Sequence, residues 1–200
     1  FEAVTNAGGW VFRMGDASMT PLPSMPQVID YAHHEIRCDW MDVFLGATCR
    51  FLIGTSSGPV RTPRYFGVPV IHSNSAVATD YLDLIKNDLY LPRLLRDTRS
   101  KSLLTFKQFM SPPISTFKSI KNFRDAGLHW VENTPEELEA VTKEMLERTG
   151  EGFSSTIADD HLQKRFKTLA ETCGLKHGGH PVKAFAPISQ NILEQHQDLL

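Results

Sequence analysis

Short apolar runs that read as strands alternate with short helical patterns through the first part of the chain, and this order constrains the fold more than any other feature. A helix tail at 2–6 closes on Gly8-Gly9; strands are expected at 10–14, 28–30, 49–53 and 68–71, with helices at 39–48 and 60–66. Strands linked by helices must run parallel, because each helix carries the chain back to the end where the next strand starts. In the 39–48 helix, Trp40, Val43, Phe44 and Ala47 fall on one face and Met41 and Leu45 make a second apolar edge. That helix is expected to be buried between layers. Leu89-Tyr90-Leu91-Pro92 reads as an edge strand, since Pro92 has no N–H for a central one. Residues 103–110 read as a short helix, 111–122 as loop and 128–131 as a strand. Thr134-Pro135-Glu136-Glu137 is a capping box with proline at the first helical position. It starts a helix to about Arg148 that turns Leu138, Val141, Met145 and Leu146 inward. Helices at about 158–172 and 189–196 complete the chain. The expected class is α/β: a Rossmann-like, doubly wound parallel sheet over residues 1–150, with a helical extension over 151–200.

Composition narrows the function. The net charge is −2 and the basic residues are scattered, which gives no electrostatic case for nucleic acid or an anionic membrane. The densest group, Arg93, Arg96, Arg99 and Lys101, reads as a solvated face. No apolar run approaches the ~20 residues of a membrane span. Three widely spaced cysteines, Cys38, Cys49 and Cys173, form no disulfide framework, and no signal peptide is evident. The expected setting is the cytoplasm, at most the inner face of a membrane. A chain that opens on Phe1 within a helix tail reads as a piece of a longer protein.

The apolar run Phe51-Leu52-Ile53 leads into Gly54-Thr55-Ser56-Ser57-Gly58, and two chemistries compete for this loop. Gly54-x-Ser56-x-Gly58 spells a nucleophile elbow, whose triad would need Asp159 or Asp160 and then His177 or His180. Pro59 and Pro63 oppose it, because an elbow leads into a regular helix. The same loop can cradle a phosphate on backbone N–H groups and hydroxyls, with Arg61 and Arg64 three residues apart to neutralise it. A plain turn capped by Ser57 is the bland reading. Arg13, Gly15 and Asp16 end the first strand, and Asp30, Asp39 and Asp42 follow. In doubly wound sheets ligands bind outside the carboxyl ends of the strands, where Arg13, Asp30 and residues 55–58 would all fall. The His33-His34 pair reads as solvated, and Asn74 as a turn residue with a lesser role against a donor sugar. Trp10, Trp40 and Trp130 read as core. Cys173, His177 and His180 have a spacing zinc could use but lack a fourth ligand. No metal or other cofactor is called for.

"GGWVFRMGDASM", "VIDYAHHEIRCDWMDVFLGATCRFLIGTSSG" and "YFGVPVI" together resemble a family of bacterial glycosyltransferases from surface-polysaccharide loci. That family is similar to the carboxy-terminal, donor-binding half of GT-B glycosyltransferases, and more distantly to fucosyltransferases with a strand-end arginine and a later Ser/Thr-Gly loop. The resemblance covers about residues 1–110, with "LLTFKQF" also fitting. It implies a nucleotide-diphosphate sugar as donor and a glycan or lipid-linked glycan as acceptor. Arg13 would pair with the donor diphosphate, beside Gly15. Asp16 would set that loop or bond the sugar, and is the candidate this chain holds for the catalytic base. Asp30 and Tyr31 would lie near the nucleoside, and Asp42 would order Arg13 or the glycine loop. Thr55, Ser56, Ser57 and Gly58 would cradle the phosphates. In such enzymes the base commonly sits in the amino-terminal half, which the resemblance implies is missing here. A serine hydrolase using Ser56 and a non-catalytic sugar-nucleotide-binding module remain open alternatives.

Overall fold

The computed structural model describes residues 1–75, 77–154, 157–177, 180–181 and 186–200. Helix α1 (Glu2–Asn6) leads to β1 (Val11–Phe12), which pairs in parallel with β2 (Val28–Ile29). Helix α2 (Asp39–Thr48) and then β3 (Leu52–Gly54) follow. A 3₁₀ turn, Gly58–Val60, runs into α3 (Arg61–Tyr65), as the rigid φ of Pro59 near the start of the turn allows. Strands β4 (Val70–Ser75) and β5 (Leu89–Pro92) complete a parallel three-stranded sheet in the order β3-β4-β5, with a 3₁₀ stretch, Ala78–Asp83, between them. The chain is thus a mixed α/β protein with parallel strands.

Beyond the sheet, β6 (Leu94–Asp97) pairs antiparallel with β7 (Leu128–Val131). Helices α4 (Phe106–Met110) and α5 (Ile120–Asp125) lie between them, each opened by a capping box, Thr105 with Gln108 and Ser119 with Asn122. The expected box at Thr134 and Glu137 forms and starts α6 (Pro135–Arg148). Helix α7 (Ile157–Thr172), a hairpin of β8 (Lys176–His177) and β9 (His180–Pro181), and α8 (Gln190–Gln195) follow. Helix α5 and a 3₁₀ turn at Ile114–Thr116 occupy part of the stretch expected to be loop.

The main core is built after residue 70. Ile71, Leu89 and Leu91 of the sheet meet Val141 and Met145 of α6, Phe166 of α7, and Ile192 and Leu193 of α8. Phe166 stands edge-on to both Tyr81 and Phe106, with ring centroids 5.3 and 5.2 Å away. Strand β5 is not an edge strand. The Tyr90 N–H donates to the Pro187 carbonyl at 2.9 Å and the Ser189 N–H to the Tyr90 carbonyl at 2.7 Å, so the segment before α8 continues the sheet. Pro92 is tolerated because it ends the strand, opposite Ser75. Strand β6 was not foreseen; its neighbouring Leu94 and Leu95 break the alternation that marks a half-buried strand.

The amino-terminal part packs differently. Helix α2 has the expected bounds but is not buried between layers: Trp40 is 67% exposed, and Val43 and Phe44 are exposed beside it. Its contact side carries Gly46, the one buried residue of the helix, which lies against Thr62 and Pro63 of α3. No described element covers the Trp40 face, so the Trp40 and Phe44 rings stack on each other, centroids 5.2 Å apart. Trp10 is also exposed rather than core. Besides the β3–β4 pairing, α1 packs on α6, and Arg50 donates to the Leu146 carbonyl and the Thr149 hydroxyl at 2.7 and 2.8 Å.

Candidate functional site

The carboxyl ends of β3 and β4 open into a cleft of about 300 Å³. The glycine loop supplies one wall. Gly54 is glycine for a packing reason: a Cβ there would stand 2.6 Å from a methyl of Val60, which folds back over the strand end. Gly58, by contrast, faces open space. Among the described residues none accepts from the backbone N–H groups of Thr55, Ser56, Ser57 or Gly58. Ser57 takes the N-cap position of the following turn, as the plain-turn reading expects, but makes no side-chain cap bond there. Four consecutive N–H groups without an acceptor among the described residues, with adjoining hydroxyls, are donors of the kind that can solvate an anion.

The opposite wall comes from β4 and the 3₁₀ stretch behind it. Ser56 donates its hydroxyl to Asp80, and Ser75 donates to the same oxygen at 2.8 Å. Among the described residues Asp80 is the side chain that Ser56 bonds; the side chains of His177 and His180, named for a triad, lie outside the described residues. His72, on β4, lines the cleft and is only 5% exposed, and burial lowers its pKa. Arg64 is anchored by Asp88 at 3.1 Å and donates to the Asp83 carbonyl at 3.3 Å. Asp88 is itself fixed, accepting from the N–H groups of Val70 and Ile85 at 2.9 and 3.0 Å. Arg61 is mostly exposed, 3.9 Å from Asp83.

A second cluster forms at the ends of β1 and β2. Arg13 pairs with Asp30 at 2.7 Å and donates to the Thr20 carbonyl at 2.9 Å. Asp30 also accepts from the Leu22 N–H at 2.9 Å and lies 2.8 Å from Nδ1 of His33. The Leu22 N–H above all, with Arg13 and His33, holds the Asp30 carboxyl down at about 2. His33 and His34 are both exposed, as expected, and His33 also bonds Asp30. Asp16 closes an Asx-turn by accepting from the Ser18 N–H, and the Ser18 contacts lower its pKa. Gly15 sits at φ +148° with the Met19 sulfur where a Cβ would be. Tyr31 is fully buried, its hydroxyl between the N–H and carbonyl of Cys38 at 3.2 Å. Burial foremost, and then Asp42 beside it, raise the Tyr31 pKa. Asp42 therefore neighbours Tyr31, and not Arg13 or the glycine loop as expected. No hydrogen bond among the described residues joins Arg13 or Asp30 to residues 55–58.

His72, Asp80 and Asp88 were missed by sequence reasoning. His72 interrupts an apolar strand near its carboxyl end, a readable signal; Asp80 and Asp88 lie in irregular segments that carry none. Asn74 is structural: at φ +49° its N–H and side-chain oxygen bond reciprocally with Asn133 at 2.7 and 3.0 Å. Cys173 meets the Ser111 hydroxyl and the Lys107 carbonyl at 3.6 and 3.8 Å. Among the described residues no three His, Cys, Asp or Glu side chains converge as a metal would need, and no helix is long and apolar enough to cross a membrane. Compared with protein-family profiles, with curated proteins and with solved structures, the chain matches none.

Proposed function

We propose that this chain is the donor-binding half of a GT-B-like glycosyltransferase, with a Rossmann-like arrangement whose cleft beyond β3 and β4 takes the diphosphate of a nucleotide sugar. The observation that carries the reading is the run of four N–H groups at 55–58 with no acceptor among the described residues, at the carboxyl end of a strand in a parallel sheet. The resemblance of this loop and its flanks to polysaccharide glycosyltransferases supports the same assignment.

Glycosyl transfer passes through an oxocarbenium-like transition state while the diphosphate departs with growing negative charge. Fixed donors aimed at that charge lower the barrier because they need no reorganisation. The N–H groups of residues 55–58 and the hydroxyls of Thr55 and Ser57 supply such donors. Arg61, exposed at the rim, supplies a cation that can follow the leaving group. Arg13 acts by positioning: its bonds to Asp30 and Thr20 hold the loop after β1, where Asp16 and the buried Tyr31 frame the nucleoside side. The acceptor, a glycan or lipid-linked glycan, and the base that deprotonates it belong to the other half of the enzyme. Ser56 is a holder in this scheme, since its hydroxyl proton is directed to Asp80 and not to an imidazole base.

A thermal-shift panel of GDP, UDP, ADP, CMP and their sugar conjugates on wild type and Arg61→Ala tests the proposal. One nucleotide diphosphate or its sugar should raise the melting temperature of wild type and raise it less in the variant. A flat response to the whole panel, with Ser56 labelled by a serine-reactive phosphonate, would favour the hydrolase instead.

A further inference from the structure

The cleft has a charge problem that one buried side chain can solve. Among the described residues Arg61 and Arg64 are the cations that line it; Asp80 and Asp83 line it too, and the buried Asp88 pairs with Arg64 from behind. Two positive charges against three negative leave no surplus to meet a diphosphate. His72 is the remaining titratable group. Its ring lines the cleft, is 5% exposed, and its Nδ1 has no hydrogen-bond partner among the described residues. A buried polar nitrogen without a partner costs stability and calls for an explanation. The groups that face the ring are Asp80 and Asp83 from the 3₁₀ stretch, Arg64 from α3 and Asp88 from the turn before β5. Nη2 of Arg64 is likewise buried, with no hydrogen-bond partner among the described residues.

We propose that His72 is the site of a ligand-linked proton: a diphosphate entering the cleft takes a hydrogen bond from the His72 ring, which binds a second proton as the complex forms. The inference rests on the reading of the cleft as a diphosphate site. Protonation turns both ring nitrogens into donors, whichever tautomer the free protein holds. It also cancels the local deficit of one charge, and Asp80, Asp83 and Asp88 favour the imidazolium while Arg64 opposes it. In the free protein burial is the largest influence and disfavours the charged ring; the ligand's negative charge works against it.

The sign follows from linkage. The free-state pKa of His72 lies below its ordinary value and the bound-state pKa lies higher. Affinity therefore rises as pH falls through the bound-state pKa and levels off below the free-state value, by up to about tenfold per pH unit within that window.

The test is calorimetric titration of the full chain with UDP-glucose and GDP-mannose between pH 5.5 and 7.5, in buffers of different ionisation heat. These sugar diphosphates carry no phosphate proton that titrates in that range. Binding should take up as much as one proton and tighten toward the acid end. His72→Gln should remove both effects and leave a weaker binding that no longer varies with pH, and Asp80→Asn, which takes away a carboxylate near the ring, should move the window to lower pH. Binding without proton uptake overturns the inference and leaves the cleft assignment standing. So does a pH dependence that survives in folded His72→Gln. If that variant does not fold, the proton count of wild type and the shift in Asp80→Asn decide. If neither sugar nucleotide binds at any pH, the cleft assignment falls, and this inference with it.

Discussion

Asn133 shows how much of the structure hangs on single polar side chains. Its amide donates to the Pro92 carbonyl at 2.9 Å and to Glu137 at 3.2 Å, and accepts from the Asn74 N–H at 2.7 Å. It thereby locks the end of β4 to the start of α6. Asn133→Ala should lower stability by about 2–3 kcal/mol, because it strands a buried donor and acceptor; denaturant titration reads the loss. Asp30 is the corresponding anchor at the first strand pair. A carboxyl held at about 2, against 3.8 ordinarily, contributes stability that is present above the ordinary value and lost as pH falls toward 2. Wild type should therefore lose stability between pH 4 and pH 2 more steeply than Asp30→Asn, compared by denaturant midpoints at the two pH values. The Gly54–Gly58 pattern was readable in the sequence because strand, loop and proline-bounded turn are local. The opposing wall was not, because Asp80 and Asp83 reach the cleft only through the 3₁₀ stretch that follows β4.

At the scale of elements, the helices were the legible part. Capping at Thr134, the proline after it and the apolar spacing to Met145 fix both the bounds and the buried face of α6. Periodicity marked the bounds of α2 as well but gave its environment wrongly. An apolar stripe states which residues prefer burial and not whether a partner is present. Trp40→Glu tests the exposed placement: stability should change by no more than about 0.5 kcal/mol, as for a surface substitution. A helix buried between layers would lose several times that. The sheet was legible in direction but not in extent. Strand β5 gains its second neighbour from a segment before α8, some hundred residues downstream, and no local pattern announces such a pairing.

Across the whole molecule, the helices after residue 150 pack into the same hydrophobic cluster as the parallel sheet. Phe166 of α7 is 1% exposed and bridges Tyr81 and Phe106. Phe166→Ala should cost about 3–5 kcal/mol and lower the unfolding midpoint in a single transition, seen alike by circular dichroism and by tryptophan fluorescence. Two separated transitions would mean that the carboxy-terminal helices fold apart from the sheet. This core places β3 and β4 side by side with their carboxyl ends open, and the functional reading depends on what happens there. Hydrogen exchange of the full chain, free and with saturating nucleotide sugar, tests it most directly. The N–H groups of residues 55–58 have no acceptor among the described residues and should exchange within seconds in the free protein. With a bound sugar nucleotide the peptide spanning 52–64 should become protected. A sugar nucleotide that binds while leaving this peptide as fast as before would contradict the account.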